Sequence, residues 1–479
     1  MSKSFVGWPP FPQAAAQATE DQQLRANVHR ATHLIRGKRD ALVAERPDWE
    51  QLRDSAAAVK DTVLHHLDSY LVQLEGAVEA AGGTVHWARD AAEACLIVTE
   101  LVRRTGETQI VKAKSMLTEE IGLDEALRAA GIDTRETDLA EIILQLGDDL
   151  PSHIVVPSMH LNRGQIRDIF TREMGKHGRP APEGLTDDPN ELADAARLHL
   201  REKFLSAQVG ITGANFLVAD SGTVVMVESE GNGRMCLTLP RTLITVAGIE
   251  KVVPTWRDLE VFLQLLARSA TGERMSPYVS SWTGVTDDDG PREFHLVLVD
   301  NGRTRALGDE LGRQALRCIR CGACMNICPV YERTGGQAYG SVYPGPIGAI
   351  LNPLLEGADD PQTASLPYAS SLCGACNEVC PVRIDIVGNL LELRHDIAEG
   401  DAKIEHRAQR VALGAMESVM YHPHAWAAAV KAAGIAGIVA PKKLLPPPLS
   451  GWTESRYVPE IPRESFRSWW ARTDGGRTS

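Results

Sequence analysis

The sequence predicts an α/β domain followed by a cysteine-rich, mainly α-helical domain, with a helical segment before them and an extension after them. Short apolar runs alternate with helical patterns between residues 84 and 303, and this alternation is typical of a sheet covered by helices. Seven of the nine cysteines then fall into two short runs between residues 318 and 380. The chain has 479 residues, which is enough for two or three domains.

The first 83 residues are expected to form a helical segment. Residues 21–81 are rich in Ala, Leu, Arg, Glu and Gln, and Leu67, Leu71 and Leu74 recur at helical spacing. The dipeptide Gly82-Gly83 ends this segment, because glycine is a poor helix former.

The predicted α/β domain covers residues 84–303. Its expected strands are short apolar runs at residues 84–87, 109–111, 153–156, 209–212, 216–219, 223–227 and 294–299. Segments with helical spacing lie between them, at residues 90–103, 118–130, 162–176 and 189–207. The turn sequence Asp300-Asn301-Gly302 follows the last strand, so the domain is expected to end there.

Two glycine-rich loops and a pair of lysines are candidate ligand contacts in this domain. Residues 210–215 (Gly-Ile-Thr-Gly-Ala-Asn) and 230–234 (Glu-Gly-Asn-Gly-Arg) each follow or overlap an expected strand. Neither loop completes the G-x-G-x-x-G motif, so plain turns are favoured from the residues alone. Lys112 and Lys114 follow a strand, where α/β folds often place their sites. They either receive an anionic group or lie in a solvated loop.

The cysteine-rich domain, expected over residues 304–400, contains two runs with the same spacing. The first run has cysteines at positions 318, 321, 324 and 328, and the second has Ser370 followed by cysteines at 373, 376 and 380. Each run ends in Cys-Pro. This spacing is the pattern of bacterial two-cluster ferredoxins, in which the fourth cysteine of each run binds the cluster of the other run.

The crossed pattern assigns the seven thiolates to two iron–sulfur clusters. The first cluster takes Cys318, Cys321, Cys324 and Cys380. The second cluster takes Cys328, Cys373 and Cys376. Its fourth corner is open, because Ser370 replaces a cysteine and serine is a poor iron ligand. The alternatives are a three-iron cluster, a four-iron cluster whose corner is held by solvent, Ser370 or a partner, or a substitution that merely tunes the reduction potential.

Zinc and disulfides fit these cysteines less well than iron–sulfur clusters. A structural zinc site prefers two C-x-x-C pairs that close one tetrahedron, and seven cysteines in two Cys-Pro runs match that poorly. The first residues contain no apolar signal core, so export to an oxidising compartment is not indicated. Cys95 and Cys236 stand apart from the runs and are expected to be ordinary buried thiols.

Composition and charge exclude several classes of partner. The formal net charge of −13 disfavours nucleic acid and provides no polybasic membrane anchor. No stretch approaches the ~18 consecutive apolar residues that predict a membrane span. The chain is therefore expected to be cytoplasmic, with no nucleic-acid partner and no transmembrane segment.

Residues 401–479 are expected to form a C-terminal extension. Small apolar residues over 425–440, interrupted by Lys431, predict a packed helix rather than a membrane contact. The tail is predicted to be an extended arm suited to docking a partner. Its proline and aromatic residues are Pro446, Pro447, Pro448, Trp452, Phe466, Trp469 and Trp470.

The chain resembles the lactate-utilisation protein B family over nearly its whole length. Both cysteine runs carry the resemblance, together with residues 112–120, 136–139, 151–154, 210–215, 230–234 and 339–343 and the C-terminal extension. The resemblance implies that the α/β domain is a lactate-utilisation domain related to sugar-phosphate isomerases and CoA transferases. It also implies that the cysteine-rich domain is similar to the two-cluster subunits of fumarate and succinate reductases, which leave one cluster with three cysteines.

The resemblance further implies an iron–sulfur electron-transfer subunit of a system that oxidises L-lactate to pyruvate for growth on lactate. It implies two [4Fe–4S] clusters on the seven cysteines, and partners that include a cysteine-rich electron-transfer subunit. The glycine-rich loops would then line a pocket for a substrate, cofactor or partner. No flavin or nicotinamide fingerprint occurs in the sequence, so catalytic residues are not assigned. A metabolite-binding enzyme with a CoA-transferase-like domain and an iron–sulfur redox sensor or scaffold are the alternatives.

Overall fold

The computed structural model describes residues 9–287, 290–399, 407–439 and 464–473. By contacts between residues, the chain forms one compact unit up to residue 400 and a second over residues 401–479. An α/β domain and a helical cysteine-rich region follow one another within the first unit, which confirms the predicted fold class. The predicted boundaries at residues 84, 304 and 401 stay predictions.

A six-stranded parallel sheet forms the centre of the α/β domain. Its strand order is β1-β10-β7-β4-β2-β3, and every described pair within it is parallel. The strands are β1 (Thr84–Ala88), β2 (Gln109–Lys112), β3 (Asp133–Glu136), β4 (Val209–Thr212), β7 (Thr242–Gly248) and β10 (Glu293–Val299). Parallel neighbours require crossover connections, which the helices of the domain supply.

Both faces of this sheet are covered. Along β10, Leu296 and Leu298 pack into the hydrophobic core on one face, while Val297 and Val299 pack into the core on the other. Successive side chains of a strand point to opposite faces, so a run of consecutive apolar residues is expected where helices cover both. The sheet is thereby buried on both faces, and the loops that follow its strands begin at its edges.

A second, four-stranded sheet lies in the same unit, with the order β8-β5-β6-β9. Its strands are β5 (Phe216–Val218), β6 (Thr223–Glu228), β8 (Val252–Val253) and β9 (Tyr278–Trp282). Strand β6 pairs antiparallel with β5 and with β9, and β5 pairs parallel with β8. Strand β5 follows β4 closely and β8 follows β7, so the loops between the two sheets are short.

The helices of the first unit surround these sheets and build the cysteine-rich region. Those up to residue 308 are α1 (Phe11–Ala18), α2 (Gln22–Ala44), α3 (Trp49–His65), α4 (Leu67–Ala80), α5 (Ala91–Thr105), α6 (Met116–Glu120), α7 (Leu123–Ala129), α8 (Leu139–Gly147), α9 (Arg163–Glu173), α10 (Pro189–Ser206), α11 (Asn232–Thr238), α12 (Trp256–Ala270) and α13 (Arg303–Gly308). The later ones are α14 (Ala323–Ile327), α15 (Pro329–Thr334), α16 (Gly345–Glu356), α17 (Pro361–Ser365), α18 (Ala375–Val379) and α19 (Ile386–Glu399).

The N-terminal helices pack on the cysteine-rich region. The carboxylate of Asp21 accepts the N–H of Leu24 and caps α2, and α2 contacts α14 and α15. Buried Leu24 and Val28 of α2 share one hydrophobic core with Cys324 and Cys328. The predicted helical stretch breaks before Pro47, because a residue that precedes proline disfavours the helical conformation.

Several sequence predictions need correction. Residues 153–156 form an irregular loop instead of a strand. The predicted helix over residues 118–130 is divided between α6 and α7 at Gly122, whose φ is +68°, a conformation that glycine adopts without strain. Strands β3, β7, β8 and β9 are additions to the predicted set.

The second unit is described in three helices: α20 (Arg407–Tyr421), α21 (Pro423–Val439) and α22 (Phe466–Arg472). The helix predicted around residue 431 corresponds to α21. Phe466, Trp469 and Trp470 lie on a short helix rather than on an extended arm, with ring centroids 5.5 to 6.1 Å apart. Pro446, Pro447, Pro448 and Trp452 lie outside the described residues. No helix in the described part of the chain is long and apolar enough to cross a bilayer.

Candidate metal centre and adjoining cavity

The two cysteine runs have the same backbone conformation. Gly322 and Gly374 each follow the second cysteine position, with φ values of +74° and +85°, and each begins a short helix that carries the third cysteine. Arg320 and Leu372 directly precede the second cysteine position of each run, with φ values of +60° and +57°. A non-glycine residue in this region is uncommon, so its occurrence at matching positions indicates one motif built twice.

Ser370 occupies the position in the turn of the second run that Cys318 occupies in the turn of the first run. The Sγ atom of Cys318 accepts the backbone N–H of Arg320 at 3.4 Å, and the Oγ atom of Ser370 accepts the backbone N–H of Leu372 at 3.1 Å. The serine therefore preserves the hydrogen bond of the missing cysteine while replacing sulfur with oxygen.

Four cysteines from the two runs line one narrow cavity. The cavity has a volume of about 20 Å³ and is bounded by Cys318, Cys321, Cys324 and Cys380. Cys380 belongs to the second run, so the chain brings together the four residues that the crossed pattern assigns to the first cluster. The remaining walls are largely apolar, with Ile154, Ile347 and Val382 among them, and an apolar shell limits solvent access to a metal centre.

The other three cysteines form a second group. Cys328 and Cys376 are buried, whereas Cys373 is exposed. Burial raises the pKa of the Cys376 thiol to about 12, and the negative charges of neighbouring Cys328 and Cys373 act in the same direction. This second group is therefore the one that reaches the protein surface.

The buried thiols are suited to binding a metal rather than to free reactivity. Burial raises the pKa of Cys321 to about 12 and also raises the pKa values of Cys324, Cys328 and Cys380. All nine cysteines are free of disulfide bonds. A coordinating metal deprotonates a thiol outright, so the raised pKa values do not prevent these residues from acting as ligands.

The sulfur positions do not match a single zinc ion. Four thiolates at a Zn–S distance of about 2.3 Å place their sulfurs about 3.8 Å apart. Among the described residues, one set of three potential ligand groups has its ligand atoms within 4.8 Å of one another. It consists of His29, His33 and Glu332 and contains no cysteine. No three cysteine sulfurs of the described residues meet this limit, so they are too widely spaced for one zinc ion.

A larger cavity, of about 260 Å³, lies at the carboxyl ends of β2, β4 and β7. Parallel α/β sheets commonly bind ligands at this edge. Both glycine-rich loops contribute, through Gly213, Asn215, Glu230 and Gly233, so they are more than plain turns. A Cβ atom at Gly213 would lie 2.5 Å from the Oγ of Ser115, which explains the glycine there.

A buried ionic network joins this cavity to the cysteine-rich region. Arg303 donates to both carboxylate oxygens of Glu120 at 2.9 Å and to Glu250 at 2.6 Å. Burial opposes ionisation of Glu250, but the positive charges of Arg303, Lys251 and Arg320 together outweigh it and lower the pKa of that carboxyl to about 2. Arg320 lies 3.5 Å from Glu250 and stacks over Tyr343 at 4.6 Å.

Lys112 and Lys114 are not available to receive an anionic ligand. Lys112 is fully buried and pairs with Glu136 and, at 3.5 Å, with Asp124. Lys114 pairs with Glu141 at 3.2 Å and donates to a backbone carbonyl. The cations that sequence reasoning missed are Lys251 and Arg320, which line the cavity. The position of Arg320 between Cys318 and Cys321 was the signal available in the sequence.

Cys95 and Cys236 are buried thiols outside both groups, as expected. Cys95 donates to the carbonyl of Ile121 at 3.2 Å, and burial raises its pKa to about 11. Cys236 lies 3.6 Å from the hydroxyl of Thr137, and burial raises its pKa strongly.

Three family models match successive parts of the chain. The LUD domain matches residues 71–299, the 4Fe-4S dicluster domain matches residues 314–384, and the model described as lactate utilisation protein B, C-terminal, matches residues 392–474. The dicluster match contains all seven cysteines of the two groups.

Curated relatives match almost the whole chain. The uncharacterized electron transport protein YkgF of Escherichia coli is 44% identical over 95% of both chains. Lactate utilization protein B of Oceanobacillus iheyensis is 44% identical over 95% of this chain and 94% of its own. Lactate utilization protein B of Bacillus subtilis is 43% identical over 97% of both.

Proposed function

The chain belongs to the lactate utilization protein B family, and on this premise we propose that it is an iron–sulfur electron-transfer subunit of a system oxidising L-lactate to pyruvate. The names of its relatives support a role in lactate utilization. The match to the 4Fe-4S dicluster domain supports iron–sulfur clusters as cofactors. A role in growth on lactate follows from this proposal.

In this proposal each group of cysteines holds one [4Fe–4S] cluster. Cys318, Cys321, Cys324 and Cys380 hold the first, and Cys328, Cys373 and Cys376 hold the second. The single observation that carries the proposal is the narrow cavity in which Cys380 of the second run faces three cysteines of the first. When bound, such clusters supply one-electron transfer at potentials tuned by charge and burial. The fourth corner of the second cluster is assigned to solvent or Ser370.

The residues around the two cysteine groups suggest a direction for electron transfer through the protein. The first group adjoins the large cavity, because Arg320 lines that cavity and donates its backbone N–H to Cys318. The second group reaches the surface at Cys373. We therefore assign the first group to the substrate side and the second group to exchange with a partner.

The partner in this proposal is a cysteine-rich electron-transfer subunit that docks beside Cys373. Tyr368, on the 3₁₀ turn that precedes Ser370, is 49% exposed and supplies an aromatic surface there. A cytoplasmic location is part of the proposal, since free cysteines persist in reducing compartments.

The proposal is tested by anaerobic purification followed by an iron count and electron paramagnetic resonance (EPR) before and after reduction with dithionite. About eight irons per chain, with signals only after reduction, are expected for two four-iron clusters. About seven irons, with a signal in the oxidised sample, would instead assign a three-iron second cluster. Zinc without iron would overturn the electron-transfer function.

A further inference from the structure

We propose that the large cavity at the carboxyl ends of β2, β4 and β7 binds a small organic monocarboxylate, anchored by Lys251 and Arg320. This inference rests on the proposed function, because it names the class of substrate held on the substrate side of the first cysteine group. The two anchors come from different parts of the chain, one directly after a strand of the parallel sheet and the other inside the first cysteine run.

Lys251 provides an ammonium group in the cavity wall that has no direct partner within the described ranges, although the carboxylate of Glu250 lies near enough to favour its charge. It ends the 3₁₀ turn Ile249–Lys251, which follows directly from β7, and it lines the cavity. Among the residues that the structure describes, its ammonium group has no hydrogen bond and no ion pair. Lys114 lines the same cavity, but Glu141 and a backbone carbonyl already engage it.

Arg320 provides a buried N–H donor that lacks a partner. Its side chain is 8% exposed, and its Nη1 atom makes no hydrogen bond within the described ranges. The rest of the guanidinium is fixed, since it stacks on Tyr343 at 4.6 Å and lies 3.5 Å from Glu250. An unpaired buried donor is unfavourable, so a ligand that accepts from Nη1 is favoured.

The residues that line the cavity favour a ligand with one negative charge over a ligand with two. Arg303 forms ion pairs with Glu120 and Glu250, so its positive charge is already neutralised. Glu250, whose pKa is lowered to about 2, also lines the cavity and would repel a second negative charge on the ligand. Apolar Leu266 and Ala267 form part of the wall and suit a short carbon chain. A monocarboxylate matches this combination better than a phosphate dianion.

The test is a binding titration on the full-length protein with its clusters, under anaerobic conditions. Isothermal titration calorimetry is performed with acetate, L-lactate and inorganic phosphate, on the wild-type protein and on Lys251→Gln. We expect both carboxylates to bind the wild-type protein more tightly than phosphate does. We expect the substitution to raise the dissociation constant of L-lactate at least tenfold.

Two further variants make the outcome specific. Lys176→Gln removes an exposed lysine paired with Glu173 and should leave the affinity unchanged, whereas Lys251→Arg should recover part of it. Equal affinity in the wild type and in Lys251→Gln, or phosphate binding as tightly as L-lactate, would overturn the inference. The iron count of each sample separates the two proposals, because a fully loaded protein that binds no carboxylate loses this inference and keeps its electron-transfer role.

Discussion

The Oγ atom of Ser370 accepts a hydrogen bond from the backbone N–H of Leu372 at 3.1 Å, in a turn that the first run closes with the sulfur of Cys318. The backbone of the second run therefore keeps the conformation that would present a ligand from position 370. The side-chain atom at that position differs, because oxygen replaces sulfur.

Substitution of Ser370 by cysteine should supply a fourth thiolate to the second cluster. An additional thiolate adds negative charge, so the midpoint potential of that cluster should fall by roughly tens of millivolts, as measured by a redox titration followed by EPR. Ser371→Cys places a thiol at the adjacent residue, whose side chain does not accept the hydrogen bond that closes this turn, and should leave the potential unchanged. An unchanged potential in Ser370→Cys would show that position 370 does not face the cluster.

Substitution of Cys380 by alanine should disrupt the first cluster, although Cys380 belongs to the second run. It lines the same cavity as Cys318, so Cys318→Ala and Cys380→Ala should remove the same EPR signal, while Cys373→Ala removes the other. Cys236→Ala serves as the control and should keep the iron content of the wild type. Loss of the same signal in Cys380→Ala and Cys373→Ala would contradict the crossed arrangement.

Substitution of Arg303 by glutamine should destabilise the protein strongly. The change removes the guanidinium partner of buried Glu120 and the nearer of the two guanidinium partners of buried Glu250. Breaking a buried pair in this way costs about 3–5 kcal/mol. The free energy of unfolding in urea measures the effect. Arg274→Gln removes an ion pair of similar length with Glu45 on the exposed surface, where water screens it, and should change stability little. Similar losses in both variants would contradict this account.

Stability should decrease below about pH 6.5, in part through the paired histidines of β1 and β10. His86 and His295 share a 3.2 Å hydrogen bond, and burial lowers the pKa of each. The unfolded chain therefore binds more protons than the folded one as the pH falls through this range. His295→Gln should reduce the loss of melting temperature between about pH 8 and about pH 6, measured by differential scanning calorimetry. An identical loss in variant and wild type would refute the assignment.

Much of the sheet could be predicted because its strands are continuous apolar runs. Strand β3 was missed because its sequence, Asp-Thr-Arg-Glu, contains no apolar run. Its residue Glu136 is buried through an ion pair with Lys112 of the adjacent strand β2. The apolar residues 153–156 were mistaken for a strand. There the Nδ1 atom of His153 accepts the backbone N–H groups of Val155 and Val156, which folds the segment into a loop.

The cysteine groups could be predicted because their spacing is a local pattern in the sequence. The cavity anchors could not, since Lys251 follows β7 and Arg320 lies in the cysteine-rich region, and tertiary packing alone places both at one site. The lysines chosen from the sequence, Lys112 and Lys114, were already paired with acidic residues that come from other elements of the fold.

The exposure of Cys373 also decides where oxidative damage would begin. Oxidation of cysteine follows thiolate character and solvent access, and Cys373 is the cysteine that is exposed while its companions are shielded to a greater extent. Hydrogen peroxide should therefore attack the second group first, with iron leaving that site before the first. A partner bound over Cys373 would act as a shield, so the lifetime of the protein in air should depend on its assembly state.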